Sequence, residues 1–149
     1  MAKASLFPLL LALSLFALDQ AIKQLFLQGA QWHSSCLSLI LAINKGVAFS
    51  LFSFLGEGLK YIQLLLIAAI AWFAYRERLL HTYRYEAATF FAAGLSNIFD
   101  RFAIGGVVDY IYWHCGFEFA IFNLADVLID CAVLSVLWRN FRNNKAKVG

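Results

Sequence analysis

Apolar residues run in long blocks along this chain, and the polar residues that interrupt them are few. From Ala4 to Leu18 the block is almost unbroken, and helical character continues through Asp19, Gln20 and Lys23 to Leu27, about 24 residues and enough to cross a bilayer. Lys3 ahead of this block fits the charged start of a signal peptide. No small-x-small cleavage site follows, so an uncleaved first span is expected over about 4–27. A second block, GLKYIQLLLIAAIAWFAY over 58–75, carries Lys60 and Tyr61 at one end and Trp72 and Tyr75 at the other, as an interfacial belt does. A third span is expected over about 81–99, where Ala88, Ala92 and Ser96 make a small-residue face that another helix can approach closely. The fourth runs over about 123–138.

Between these blocks the period changes. QGAQWHSS is polar and turn-like, and CLSLILAI then places Leu37, Leu39, Leu41 and Ile43 at a spacing of two, the mark of a strand. Ile40 and Ala42 are apolar as well, which suits a strand covered on both faces. Asn44-Lys45-Gly46 is a turn signal, and VAFSLFSF can form a second strand. After Gly105 and Gly106, VVDYIYW and FEFAIF read as short extended segments on either side of Cys115-Gly116. The expectation is a mainly α membrane protein with four transmembrane helices and a small extracytoplasmic β-sheet platform between helices 1 and 2. A short outer segment lies between helices 3 and 4, so the outer loops are 28–57 and 101–122 of a single domain over 1–149.

Composition agrees. The chain is 62% hydrophobic and 14% charged over 149 residues, against about 25% charged in soluble domains. A single small globule has too little interior to hide that surplus. The net charge of +3 is small and dispersed, with no basic stripe interleaved with aromatics, so no nucleic-acid partner is expected. Of the twelve basic residues, eight fall on one side: Lys3, Arg76, Arg78, Arg84, Arg139, Arg142, Lys145 and Lys147. Lys23, Lys45, Lys60 and Arg101 lie at or beyond the other interface. Counted as positive-inside, this puts both termini in the cytoplasm and the two long loops outside.

The cysteines and histidines offer no metal spacing. Cys131 reads as a small core residue of an apolar helix, and a disulfide between Cys36 and Cys115, on the same side of the membrane, is left open. No metal or cofactor is expected.

The chemistry gathers in NIFDRFAIGGVVDYIYWHCGFEFAIFNLAD, where Asp100, Asp109 and Asp126 sit among apolar residues. Ionisable groups at membrane depth usually carry a partner or a function. Asp19 and Lys23, four apart on one helix face, can pair. Asn97 and Asp100 share a face near the end of the third helix, with Arg101 free to snorkel or to pair with Asp100. Asn123 and Asp126 stand as N-cap and N3 of the last helix, a capping-box arrangement that explains Asp126 without function. Capping does not explain Asp109, alone in an apolar strand-like run, and Asp126 is its nearest candidate partner. Two such carboxylates in a dry site share one proton, as in an aspartic protease.

Four ordered pieces, DQAIK, NKGVAFS, NIFDR followed by GGVVDY, and FNLAD, resemble the signal peptidase II family, the prolipoprotein signal peptidases of bacteria. The resemblance implies a membrane-embedded aspartic endopeptidase of the bacterial inner membrane, its site near the outer leaflet. It would cleave lipid-modified prolipoproteins before the diacylglyceryl-cysteine. Asp109 and Asp126 would be its catalytic dyad. Asn44, Gly46, Asn97, Arg101 and Asn123 would line or brace the site, Asp19 and Lys23 would belong to a supporting polar set, and Asp100 would support it from a helix end. Membrane phospholipid is an expected partner, a monomer the expected state. Trp32, Phe49, Phe52, Tyr112 and Trp113 would form an aromatic ledge for the lipid chains and the scissile peptide.

Two positions depart from the family pattern. Ala92-Ala93 stands where a Gly-Gly pair is usual. Asp130, one turn beyond Asp126, adds an acid that would pair with Lys23 or act on Asp126 by like-charge repulsion. Three rival classes fit the residues less well. An ion-coupled transporter would favour internal repeats, which are not seen; a scaffold would need no dyad. A Cys–His hydrolase built on His114 and Cys115 fails because adjacent strand residues point to opposite faces.

Overall fold

The computed structural model describes residues 6–46 and 53–148. Helix α1 spans Phe7–Leu27, opened by Pro8 in its first turn, where a missing N–H costs nothing. After it come β1 (Trp32–His33), β2 (Leu37–Asn44), a short 3-10 turn at Ser53–Leu55, and α2 (Gly58–Arg76). The single-turn α3 (Leu79–Thr82) leads into α4 (Arg84–Ile104), then β3 (Val107–Trp113) and α5 (Leu124–Val148). The expected second strand over 47–54 falls mostly outside the described residues, as do Lys3, Phe49 and Phe52, and its last two residues belong to the 3-10 turn.

The polar faces of α1 and α4 pack together and α4 also packs on α5, with the sheet at the end of the helices where α4 finishes and α5 begins. The sheet is antiparallel in the order β1-β2-β3. The platform is therefore not confined to the connection between α1 and α2, because its longest pairing joins β2 to β3 from the other loop. Leu37 pairs with Trp113 and Asn44 with Val107, with an irregularity between Leu39 and Ala42. A disulfide joins Cys36 to Cys115 beside the Leu37–Trp113 end of this pairing. FEFAIF forms no strand of its own and contributes one bridge, Phe122 to Ile111.

Three helix ends differ from expectation. Chain 81–83 closes α3 before α4 starts at Arg84. Helix α4 runs past Phe99 to Ile104 and stops at Gly105, which takes a left-handed φ of 76°, a conformation glycine adopts without strain. Helix α5 continues past Trp138 through Arg139, Arg142 and Lys145, since no Gly or Pro ends it before Gly149. Cys131 is exposed on α5 and is no core residue.

Large apolar side chains face outward while a cluster of charged and polar ones is buried among apolar neighbours. Leu13, Leu65, Trp72, Leu134 and Trp138 are each about 60–70% exposed, while Asp19, Lys23 and Asn123 are 0–1% exposed. Exposed apolar surface on this scale needs a non-aqueous partner, and charges face inward in membrane bundles. Helices α1 and α2 are long and apolar enough to cross a membrane.

Candidate active site

Lys23 is the centre of the buried polar layer. Its Nζ lies 2.7 Å from Asp19 Oδ2 and 2.8 Å from Asp100 Oδ2, and donates to Asn97 Oδ1 at 2.7 Å. The spacing on α1 explains the first contact; the other two come from Asn97 and Asp100 sharing one face of α4. Asp19 also accepts from Ser96 Oγ at 2.6 Å and from the Ala125 N–H at 3.0 Å, so it helps to cap α5 from across the bundle. Asp100 accepts from Gln20 Nε2 at 2.8 Å and from the Val108 N–H at 3.2 Å. One carboxylate thus ties α4 to α1 and to the start of β3.

Arg101 does not pair with Asp100. It donates from Nε to Gln63 Oε1 at 2.5 Å, from Nη1 to the Asn44 carbonyl at 3.2 Å, and from Nη2 to the Gly46 carbonyl. It pins the turn after β2 against α2 and α4. Within that turn Asn44 Oδ1 accepts from the Gly46 N–H at 3.0 Å, the Asx geometry of its residue type.

Asp109 and Asp126 line one cavity of about 540 Å³ with Asn44, Asn97 and Arg101. Asn123 joins them: its Nδ2 donates to Asp109 Oδ1 at 2.7 Å, and its backbone N–H donates to Asp126 Oδ2 at 3.1 Å. Asn123 Oδ1 accepts in turn from the Asp126 N–H at 2.9 Å. The capping box is therefore formed, and the residue that closes it is also the one beside Asp109. Asp126 Oδ1 accepts from Asn97 Nδ2 at 2.9 Å. Asp109, 2% exposed in β3, accepts on Oδ2 from Asn44 Nδ2 at 3.0 Å.

Donor-only groups fix how these three asparagines face. An ammonium or a backbone N–H has no acceptor, so Lys23, Gly46 and Asp126 hold the Oδ1 atoms of Asn97, Asn44 and Asn123. Each amide must then turn its NH₂ towards a carboxylate. The three asparagines surround Asp109 and Asp126 with donors, and none of the three accepts a proton from them. Burial pushes the Asp109 carboxyl up, and the negative charge of Asp126 adds to this against the lowering hydrogen bonds from Asn44 and Asn123; it reaches about 6.

Every site residue singled out in the sequence belongs to this layer or its cavity, but two offered pairings, Asp100 with Arg101 and Asp130 with Lys23, do not form. Asp130 lines the cavity and does not pair with Lys23, whose partners are Asp19, Asp100 and Asn97. His114 Nε2 lies 3.0 Å from Ser38 Oγ while Cys115 is in the disulfide, which removes the thiol a Cys–His hydrolase needs. Gln20, Gln63, Ser96 and Tyr110 join the site without having been expected there. Tyr110 stacks on Phe26 with ring centroids 4.4 Å apart, and its hydroxyl accepts from the Leu124 N–H at 3.1 Å. Ser96 stands in the small-residue face and Gln20 beside Asp19, yet neither position signals a partner on another helix. Trp32 and Trp113 are about half-exposed on the sheet.

The fold is shared with bacterial membrane enzymes. One structure determined by the in meso method at 2.3 Å resolution superposes with a TM-score of 0.81 at 22% identity, covering 95% of this chain and 91% of that one. A second, at 1.9 Å resolution, gives 0.74 at 23% identity over 89% and 91%. Residues 11–142 match the family described as signal peptidase (SPase) II, and the chain belongs to that family. It is 56% identical over 131 residues to the lipoprotein signal peptidase of Wolinella succinogenes, covering 87% of this chain and 90% of the relative. It is 50% identical over 138 residues to that of Helicobacter pylori strain HPAG1, covering 89% and 88%.

Proposed function

We propose that Asp109 and Asp126 form an aspartic dyad that activates water to cleave lipid-modified prolipoproteins before the diacylglyceryl-cysteine. The coarser activity follows from the family: the chain is an integral-membrane peptidase of lipoprotein processing. The dyad rests on Asn123, which donates to both carboxylates from its side chain and its backbone. Asp126 is the ionised member, favoured by the α5 N-terminus where it sits. It takes a proton from water as the water oxygen attacks the scissile carbonyl. Asp109 carries the shared proton and gives it to the carbonyl oxygen. As the tetrahedral intermediate collapses, one of its two hydroxyls returns a proton to Asp109, the C–N bond breaks, and the proton held by Asp126 goes to the leaving amine. The surrounding asparagines, presenting only N–H groups, steer that proton between the dyad and the substrate. Asn44, Gly46, Asn97, Asp100, Arg101, Asn123, Asp19 and Lys23 support the site, and no step calls for a metal or cofactor.

Four spans formed by α1, α2, α4 and α5, one domain over 1–149, both termini in the cytoplasm and the sheet in the outer headgroup layer of the inner membrane suit the basic residues and the apolar outer surface. The chain acts as a monomer among phospholipids, with Trp32, Tyr112 and Trp113 in the ledge that meets the substrate's lipid.

The pH–rate profile of kcat/KM tests the dyad. With Asp109 raised to about 6, the single-proton form is lost as pH rises through about 6 and lost again in acid once the pair holds two protons. The profile falls on both sides, in the acid range. Folding stability has the matching sign: a raised carboxyl favours the fold most below its ordinary value of about 4, and that contribution is lost as pH rises through about 6. A rate that stays flat from about pH 4 to 8 overturns the shared proton.

A further inference from the structure

The dyad leaves one carboxylate of the cavity unused. Asp130 lies one turn beyond Asp126 on α5, lines the same cavity and is exposed. Ile67 and Ile70 of α2 and Phe90 and Gly94 of α4 line the cavity with it, and the one cation among its described lining residues is Arg101, held by Gln63 and the Asn44 and Gly46 carbonyls. Among the described residues no cation or hydrogen-bond donor pairs with Asp130, and the buried Lys23 is already engaged by Asp19, Asp100 and Asn97. A carboxylate within a spanning helix is costly unless it faces a cavity and meets a partner there. With Asp109 and Asp126 as the dyad, the substrate lies in this cavity and can supply that partner.

We propose that Asp130 is a specificity-determining residue that accepts a hydrogen bond from a hydroxyl or ammonium side chain of the signal peptide. The assignment rests on the reading that Asp109 and Asp126 cleave the substrate, because the dyad sets the register. One helical turn advances about 5.4 Å, whereas an extended peptide advances about 3.3 Å per residue. Asp130 therefore stands about two residues from the scissile bond, on the side away from the sheet. A signal peptide's apolar segment precedes its cleavage site and runs from the dyad into the bilayer, so that side holds the residues before the cut. Successive side chains of an extended segment point to opposite faces, so only one of the second and third residues before the cut is directed at α5.

The test is a set of lipid-modified precursors with Leu, Ser or Lys at the second or the third residue before the modified cysteine. Wild type, Asp130→Asn and Asp130→Leu are compared by kcat/KM in detergent. Wild type is expected to favour Ser over Leu by about three- to tenfold at one of the two positions, and to favour Lys at that position as well. Asp130→Leu brings both ratios to about one. Asp130→Asn, which keeps a carbonyl acceptor without the charge, retains the Ser preference and loses the Lys preference. Ratios in Asp130→Leu equal to those of wild type overturn the assignment, as does a wild type that treats the three side chains alike. Asp109→Asn in the same set separates the two claims: wild-type rates from that variant overturn the dyad, and the register drawn from it falls too.

Discussion

Lys23 is 1% exposed and has two carboxylates within salt-bridge distance, Asp19 and Asp100. Removing the cation leaves two buried negative charges facing each other, and breaking a buried pair in this way typically costs about 3–5 kcal/mol. Lys23→Met is therefore expected to lower the thermal unfolding midpoint in detergent by many degrees, and a midpoint equal to wild type would contradict the central place given to Lys23. At this scale the sequence is legible where spacing alone decides: Asp19 with Lys23, Asn123 with Asp126. It is not legible where a partner comes from another helix. Local sequence puts Asp100 beside Arg101, its chain neighbour, because nothing local says that Val108 and Lys23 hold it instead. The two explanations of Asp126, cap and catalyst, are compatible in geometry, since one oxygen closes the cap while the other faces Asn97.

The elements meet the site through β2 and β3. Val107 lies opposite Asn44 in the register, and a Cβ built on Gly106 would sit 2.7 Å from Ile43 Cγ2 and 3.1 Å from the Asn44 carbonyl oxygen. That carbonyl is an acceptor for Arg101, and the Asn44 amide is a donor to Asp109. Gly106→Ala is expected to cost about 1–3 kcal/mol of stability by overpacking. It should also slow cleavage by at least about tenfold in protein that remains folded, because a shift of about 1 Å in a positioned group is enough for such losses. Measured rate and unfolding midpoint, both at wild-type levels, would show that β3 can move off β2 without disturbing the site. The strand pattern of 37–44 is visible as alternation, but alternation does not name a partner. For that reason the sequence points to a platform built from one loop, whereas β3 and the Cys36–Cys115 disulfide join both loops.

For the whole molecule, the surplus of apolar residues by itself marks a membrane protein, and the exposed leucines of α1 and α2 agree with it. The proposed four spans, which put eight of the twelve basic residues on one side, predict that reporters fused to either end of the chain both read as cytoplasmic, while one inserted after Gly116 reads as external. Opposite readings from the two ends would remove one span. The end of the bundle away from the sheet is closed by Arg139, which donates to Glu86 Oε1 at 2.5 Å and to the Thr82 carbonyl at 3.1 Å. Between that clasp and the sheet lies the cavity in which cleavage is placed. The dyad is tested by Asp109→Asn and Asp126→Asn, each assayed on a lipid-modified precursor in detergent or membranes. Each variant is expected to fold and to slow processing by at least about a hundredfold; wild-type rates from both would contradict the dyad.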